Sequence, residues 1–123
     1  MNRGTYQIKI KISQPVTIKI GKLGVYQFSP GIYIYTGRAG RGLAKRLLRH
    51  QRKNKPARWH IDYLTNHPHA IVTDVSIVND DPEMECFVHQ SMMANKNVVT
   101  PVKGFGSTDC TAGCPAHLVR VDR

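Results

Sequence analysis

The sequence predicts an α+β domain with a small, mostly antiparallel sheet, and three observations predict it. Short alternating segments fill the first third of the chain, one amphipathic helical stretch follows them, and a β-branched segment then precedes a second helical pattern. Strands followed by helices, a strand and another helix fit helices packed over an antiparallel sheet with an N-terminal hairpin extension and about three flanking helices. The 123 residues and 41% apolar content suit one modest core, so residues 1–123 read as a single domain.

From Tyr6 to Ile12 the chain alternates, with Tyr6, Ile8, Ile10 and Ile12 on one face and Gln7, Lys9 and Lys11 on the other. Ser13-Gln14-Pro15 supplies a turn, and Val16, Ile18 and Ile20 then alternate with Thr17 and Lys19, which predicts a hairpin between these two strands. Gly21, Gly24, Pro30 and Gly31 punctuate two further extended segments, Val25 to Phe28 and Ile32 to Thr36. From Gly42 to about Lys53 the period changes: Leu43, Ala44, Leu47 and Leu48 form a helical stripe, and Arg46, Arg49, His50 and Lys53 fall on the opposite side.

Asn54-Lys55-Pro56 breaks that helix, and residues 57–66 read as a second, short one that ends at Asn66-His67-Pro68. Ile71 to Val78 is rich in β-branched residues and predicts a strand. Asp81 caps a third helix, with Pro82 at its first position, that runs to about Asn95. The rest is Gly-rich until a last extended segment at Leu118 to Val121.

The formal charge is +10, and its distribution narrows the function. Residues 1–58 hold 14 of the 18 Lys and Arg, and no acid occurs before Asp62, so the first half of the chain presents a positive field to a polyanionic partner. No apolar run approaches the roughly 20 residues of a membrane span, and none follows the first Met, which predicts an unexported, cytoplasmic protein without a membrane role. Three cysteines cannot all pair with one another, so a disulfide framework is not expected. Cys110, Cys114 and His117, with Cys86 as a fourth ligand, have a spacing compatible with structural zinc.

Residues 38–58 contain nine Lys or Arg in 21 positions, interleaved with His50 and followed by Trp59 and His60. Arg38, Arg41, Lys45, Arg49 and Lys53 are candidates to track a phosphate backbone, and Trp59 to stack on a base. Arg46 and His50, four apart, lie one above the other on a helix; a guanidinium holds a phosphate oxygen through parallel bonds, and an imidazole accepts or donates a proton.

Tyr35-Thr36-Gly37 running into Leu43-Ala44-Lys45-Arg46-Leu47 resembles the GIY-YIG nuclease superfamily, in which a Y-(I/V)-G strand precedes a helix reading L-x-x-R-(L/I). Some restriction endonucleases of the superfamily also carry a histidine four residues after the arginine, as His50 stands here. The first motif has three candidates, Gly4-Thr5-Tyr6, Gly24-Val25-Tyr26 and Gly31-Ile32-Tyr33; the first is favoured because it opens the first strand, which makes the intervening hairpin an insertion, and the second has the more usual spacing.

A closer resemblance, to a small uncharacterised branch found alone or fused to endonuclease III-like glycosylases, extends over nearly the whole chain. It rests on Tyr35 to Ala39, Arg46 to His50, Trp59 to Leu64, Glu85-Cys86, Gly104 to Cys110 and Ala116-His117-Leu118.

The resemblance implies an endonuclease that cleaves DNA, or RNA, with one Mg or Mn ion, linked to DNA repair. It implies that Tyr6 and Tyr35 activate water, that Arg46 steadies the phosphate with His50 beside it, and that a helix carboxylate binds the ion. Register with the excision-repair nuclease puts Gln90 near that carboxylate's place, and Glu85, a turn earlier, is the best carboxylate available. A tyrosine base of this kind needs positive charge from Arg46 and the metal to depress its pKa. Asp109, in a glycine-rich loop, is a further candidate, and His60 and Asp62 have structural and functional readings alike.

Overall fold

The computed structural model describes residues 2–53, 55–93, 98–105 and 116–121. Strands β1 (Gly4–Ile12), β2 (Val16–Ile20), β3 (Gly24–Phe28) and β4 (Gly31–Ala39) lead into helix α1 (Leu43–Gln51) and helix α2 (His60–Thr65). Strand β5 (Ala70–Asn79), a 3-10 turn (Pro82–Met84), helix α3 (Glu85–Met93) and strands β6 (Val98–Val99) and β7 (Leu118–Val121) complete the order. The result is an α+β fold: a five-stranded sheet in the order β5-β1-β4-β7-β6, paired antiparallel throughout, and a separate two-stranded sheet of β2 and β3.

The alternation in β1 is realised as written, with Tyr6, Ile8, Ile10 and Ile12 buried while Lys9 and Lys11 are exposed. Its register with β4 sets Tyr6 opposite Gly37, Ile8 opposite Tyr35 and Ile10 opposite Tyr33, so the apolar faces of the two central strands coincide. Leu118 of β7, opposite Tyr35, extends that face, and Leu43, Ile61 and Leu64 of the helices join the same core; each of the four is fully buried, at roughly 1.5 to 3 kcal/mol per side chain. No described helix is long and apolar enough to cross a membrane.

The predicted hairpin between β1 and β2 is corrected, because β1 pairs with β4 and β5 while β2 turns back on β3. Chain reversal occurs at Gly21, whose φ of 48° is left-handed, and Leu23 N donates to Ile20 O at 2.8 Å. A nine-residue partner of matching alternation on β4 offers β1 more pairing than the five residues of β2. The hairpin therefore stands as an insertion between the two central strands and packs Val16, Ile18, Ile20 and Phe28 into the core.

Helix α2 begins at His60 rather than 57, because residues 55–59 are extended and Asp62 ties their backbone down. The third helix begins with a 3-10 turn at Pro82, capped as expected by Asp81, whose carboxylate accepts from Glu83 N at 2.9 Å. Its expected end at Asn95 lies outside the described residues.

Candidate active site

Gly37 permits the closest approach in the molecule's centre. A Cβ there would lie 2.6 Å from the Tyr6 ring and hydroxyl and 2.9 Å from the Tyr35 ring, so the two tyrosines of adjacent strands meet over a residue without a side chain. Of the three G-x-Y segments, Gly4-Thr5-Tyr6 sets its tyrosine against the 35–37 segment from the neighbouring strand. Tyr26 belongs to the two-stranded sheet and donates to Leu23 O, while Tyr33 is buried and donates to Ser29 O.

Helix α1 adds His50 and Arg46 to this centre. The sequence pattern sets His50 on the charged outer face and Leu48 on the dry one; the structure reverses both, with Leu48 65% exposed and His50 1%. The inward stripe is Leu43, Leu47 and His50, because the imidazole meets a buried hydroxyl: Tyr6 Oη and His50 Nε2 are 2.7 Å apart. His50 also packs against Tyr35 and Trp59, with ring centroids 6.1 and 5.9 Å away. Burial pushes its pKa down to about 4, Asp62 pulls it up, and Lys55, Arg49 and Arg46 push it further down, so the imidazole is neutral at pH 7. In the tautomer protonated at Nδ1, Nε2 accepts the Tyr6 hydroxyl proton.

The two phenols do not behave as the sequence expectation required. Burial drives Tyr6 well above its ordinary value; Arg46 lowers it and Glu85 raises it. Tyr35 is likewise raised, by burial first and then by Tyr6, Glu85 and Asp62, against a smaller lowering by Arg46. Arg46 by itself does not bring either phenol below its ordinary value, because removing a phenolate from water costs more than one guanidinium offsets. The same influences place Arg46 and Glu85 within electrostatic reach of both phenols.

Arg46 is half-buried, donates to Arg38 O and lies over Trp59, with Cζ 4.8 Å from the ring centroid. Beside it, Asn2, Arg41, Gly42, Ala44, Lys45 and Arg46 line a groove of about 610 Å³ at the start of α1, where Arg41 and Lys45 are exposed. Helix starts present unpaired N–H groups, so this basic groove suits an anion. Asn2 closes its outer edge by accepting from Gly42 N and Leu43 N.

Arg49 and Lys53, expected to face phosphate, both bind groups of the protein itself. The Arg49 guanidinium holds both oxygens of Asp62 at 2.8 and 2.9 Å and donates to Pro56 O at 2.7 Å. Asp62 is fully buried and also accepts from Arg58 N and Trp59 N, which makes it the tie between the two helices. The Lys53 ammonium donates to the carbonyls of Thr65, His67 and Ala70. Its positive charge serves the C-terminal end of α2. Trp59 is half-buried, with Arg46, Arg49 and Arg58 over its ring.

Glu85 opens α3 with its side chain 16% exposed. Arg38 Nε lies 4.0 Å and His117 Nδ1 3.5 Å from its carboxylate. Gln90 is exposed on the same helix. Among the described residues no three His, Cys, Asp or Glu are grouped to hold a metal ion. A carboxylate oxygen is the donor a hard cation takes, so Glu85 is the residue that would hold one, in place of its present neighbours Arg38 and His117. Cys110, Cys114 and Asp109 lie outside the described residues, as does the Cys86 side chain, so the zinc set has only His117 in view.

Sequence reasoning missed the contact of His117 with Glu85, since only the pairing of β7 with β4 carries residue 117 to α3. It also missed Lys55, a buried lysine donating to Arg52 O, Thr65 Oγ1 and Asn66 Oδ1. For Asp62 a signal existed, because an acid at the third helical position reaches back to the N–H at the helix start.

A family model described as Domain of unknown function DUF123 matches residues 5–123. Neither the curated proteins nor the solved structures contain a match to the chain.

Proposed function

We propose that this chain, which belongs to that DUF123 domain family, is a cytoplasmic endonuclease of GIY-YIG type that hydrolyses phosphodiester bonds in DNA, or RNA, with one divalent ion. A place in DNA repair follows the same resemblance. The observation that carries the reading is the meeting of Tyr6, Tyr35 and His50 over Gly37, with Arg46 and Glu85 in the same electrostatic field.

Arg41, Lys45 and Arg46 draw the backbone into the groove at the start of α1, and Arg46 steadies the phosphate that reacts. Water attacks phosphorus while a tyrosine hydroxyl takes its proton; the bond from phosphorus to the leaving sugar oxygen breaks, and that oxygen takes a proton from solvent. Tyr6 passes its own proton to His50 Nε2 as it accepts one, so no standing phenolate is required. A phosphate anion held by Arg46 offsets the lowering that this guanidinium exerts on His50. Glu85 would hold the divalent ion, Mg or Mn, whose positive charge would polarise the phosphoryl group and make water more acidic.

Purified protein is expected to nick branched, damaged or single-stranded DNA with Mg or Mn, and Arg46→Ala and Tyr35→Phe to abolish it. No cleavage of any such substrate with either ion removes the reading.

A second reading, a binding module with a degenerate site, is favoured by one observation: Glu85 already faces Arg38 and His117. That protein binds nucleic acid with a steep salt dependence and remains inert with both ions.

A further inference from the structure

A cleft of about 420 Å³ lies between the turn of the β2–β3 hairpin and the start of α2. Lys22, Leu23, Arg58, Trp59, His60 and Tyr63 line it. The three aromatic residues are half-buried, and Lys22 and Arg58 are exposed. Its volume falls in the range of roughly 300 to 1,000 Å³ typical of small-molecule sites.

The chemistry of this lining is specific. Half-buried aromatic side chains beside exposed cations match a nucleobase attached to its phosphate, because any base packs against a ring and any backbone is attracted by the charges. A membrane surface or an acidic peptide would use the cations without needing the rings. Gly21 keeps the hairpin turn close to the rings, since a Cβ at that residue would lie 3.1 Å from the Tyr63 hydroxyl.

The position matters as much as the lining. Trp59 belongs to the cleft and also carries Arg46 over its ring and His50 against it, so the cleft adjoins the phosphate-steadying arginine through one shared side chain. His60 continues the chain of rings through Phe105 to Tyr35, with centroids 5.7 and 6.4 Å apart.

We infer that the cleft formed by Tyr63, His60, Trp59, Lys22 and Arg58 receives one unstacked nucleobase next to the phosphate held by Arg46, and so selects DNA carrying an unpaired nucleotide at that point. This rests on the nuclease reading, or equally on its binding-module alternative. A base in a continuous duplex reaches such a cleft only by leaving the stack, at a cost of a few kcal/mol. Unpaired strands avoid that cost.

Trp59 is the only tryptophan, so its fluorescence reports binding to the intact protein directly. The full chain is titrated at low salt, without metal, with oligothymidylate, with a fully abasic strand of equal length and with a blunt duplex. Oligothymidylate is expected to bind about tenfold more tightly than the abasic strand, the effect of one stacked base. Tyr63→Ala is expected to erase that ratio and Tyr63→Phe to keep it, both with the salt slope of the parent protein.

Equal affinity of the parent protein for the thymidylate and abasic strands overturns the cleft assignment without calling on any variant to fold. A ratio that survives in folded Tyr63→Ala overturns it as well. Absence of binding to all three ligands overturns the nucleic-acid reading itself and the cleft with it.

Discussion

Gly37 is the residue on which the centre depends, and the dependence is one of space. Its backbone is ordinary extended strand, yet an added Cβ has no room beside Tyr6 and Tyr35. Gly37→Ala is expected to destabilise the fold by about 1 to 3 kcal/mol, read from the urea midpoint. Tyr6→Phe leaves the buried His50 Nε2 without its hydroxyl and is expected to cost about 1 to 3 kcal/mol by the same measurement. Histidine also sets a pH limit. His50 and the fully buried His89 each have a pKa pushed down from 6.5 to about 4, mainly by burial, so the fold prefers them neutral. Their contribution is complete above pH 6.5 and is lost as pH falls from there through 4, which predicts a falling urea midpoint over that window. His50→Gln should flatten part of the decline.

Helix α1 shows how an element can carry two kinds of cation. Arg41, just before it, and Lys45, in its first turn, remain exposed in the groove, whereas Arg49, in its last turn, and Lys53, just after it, are bound to Asp62 and to carbonyls of and beyond α2. Removing one phosphate-contacting cation lowers the slope of log affinity against log salt by about 0.9 on duplex DNA. Lys45→Ala is therefore expected to reduce that slope, and Arg49→Ala to leave it unchanged while costing stability. The Arg49 effect should reach about 3 to 5 kcal/mol, because a fully buried carboxylate loses its partner. A slope that fell equally in both variants would show Arg49 meeting phosphate after all. The periodicity of α1 was legible in the sequence, but the identity of its buried face was not. A leucine stripe sets the expectation, and a buried tyrosine hydroxyl seeking an acceptor draws His50 inward at the expense of Leu48.

At the scale of the molecule, strand order decides which residues meet. Pairing of β1 with β4 joins Tyr6 to Tyr35 across 29 residues of chain, and pairing of β4 with β7 carries His117 to Glu85. The basic first half of the sequence supplies both β1–β4 and α1, the elements that carry the tyrosine cluster and Arg46. Binding to any duplex is accordingly expected to weaken steeply between low and physiological salt, and a flat response would show the charge to be incidental. The inserted hairpin adds the one wall that the rest of the fold lacks, between Gly21 and Tyr63.

By itself the sequence determined the α+β class, the alternation of β1, the cap at Asp81 and the basic character of residues 38–58, since each is a local matter of period, turn chemistry or composition. Only the tertiary structure decided that β2 leaves β1 for β3, that His50 faces inward, that Arg49 and Lys53 bind groups of the protein itself, and that burial outweighs Arg46 at the two tyrosines. Those outcomes depend on partners distant in the chain and on exclusion of water, and neither is encoded in the spacing of neighbouring residues.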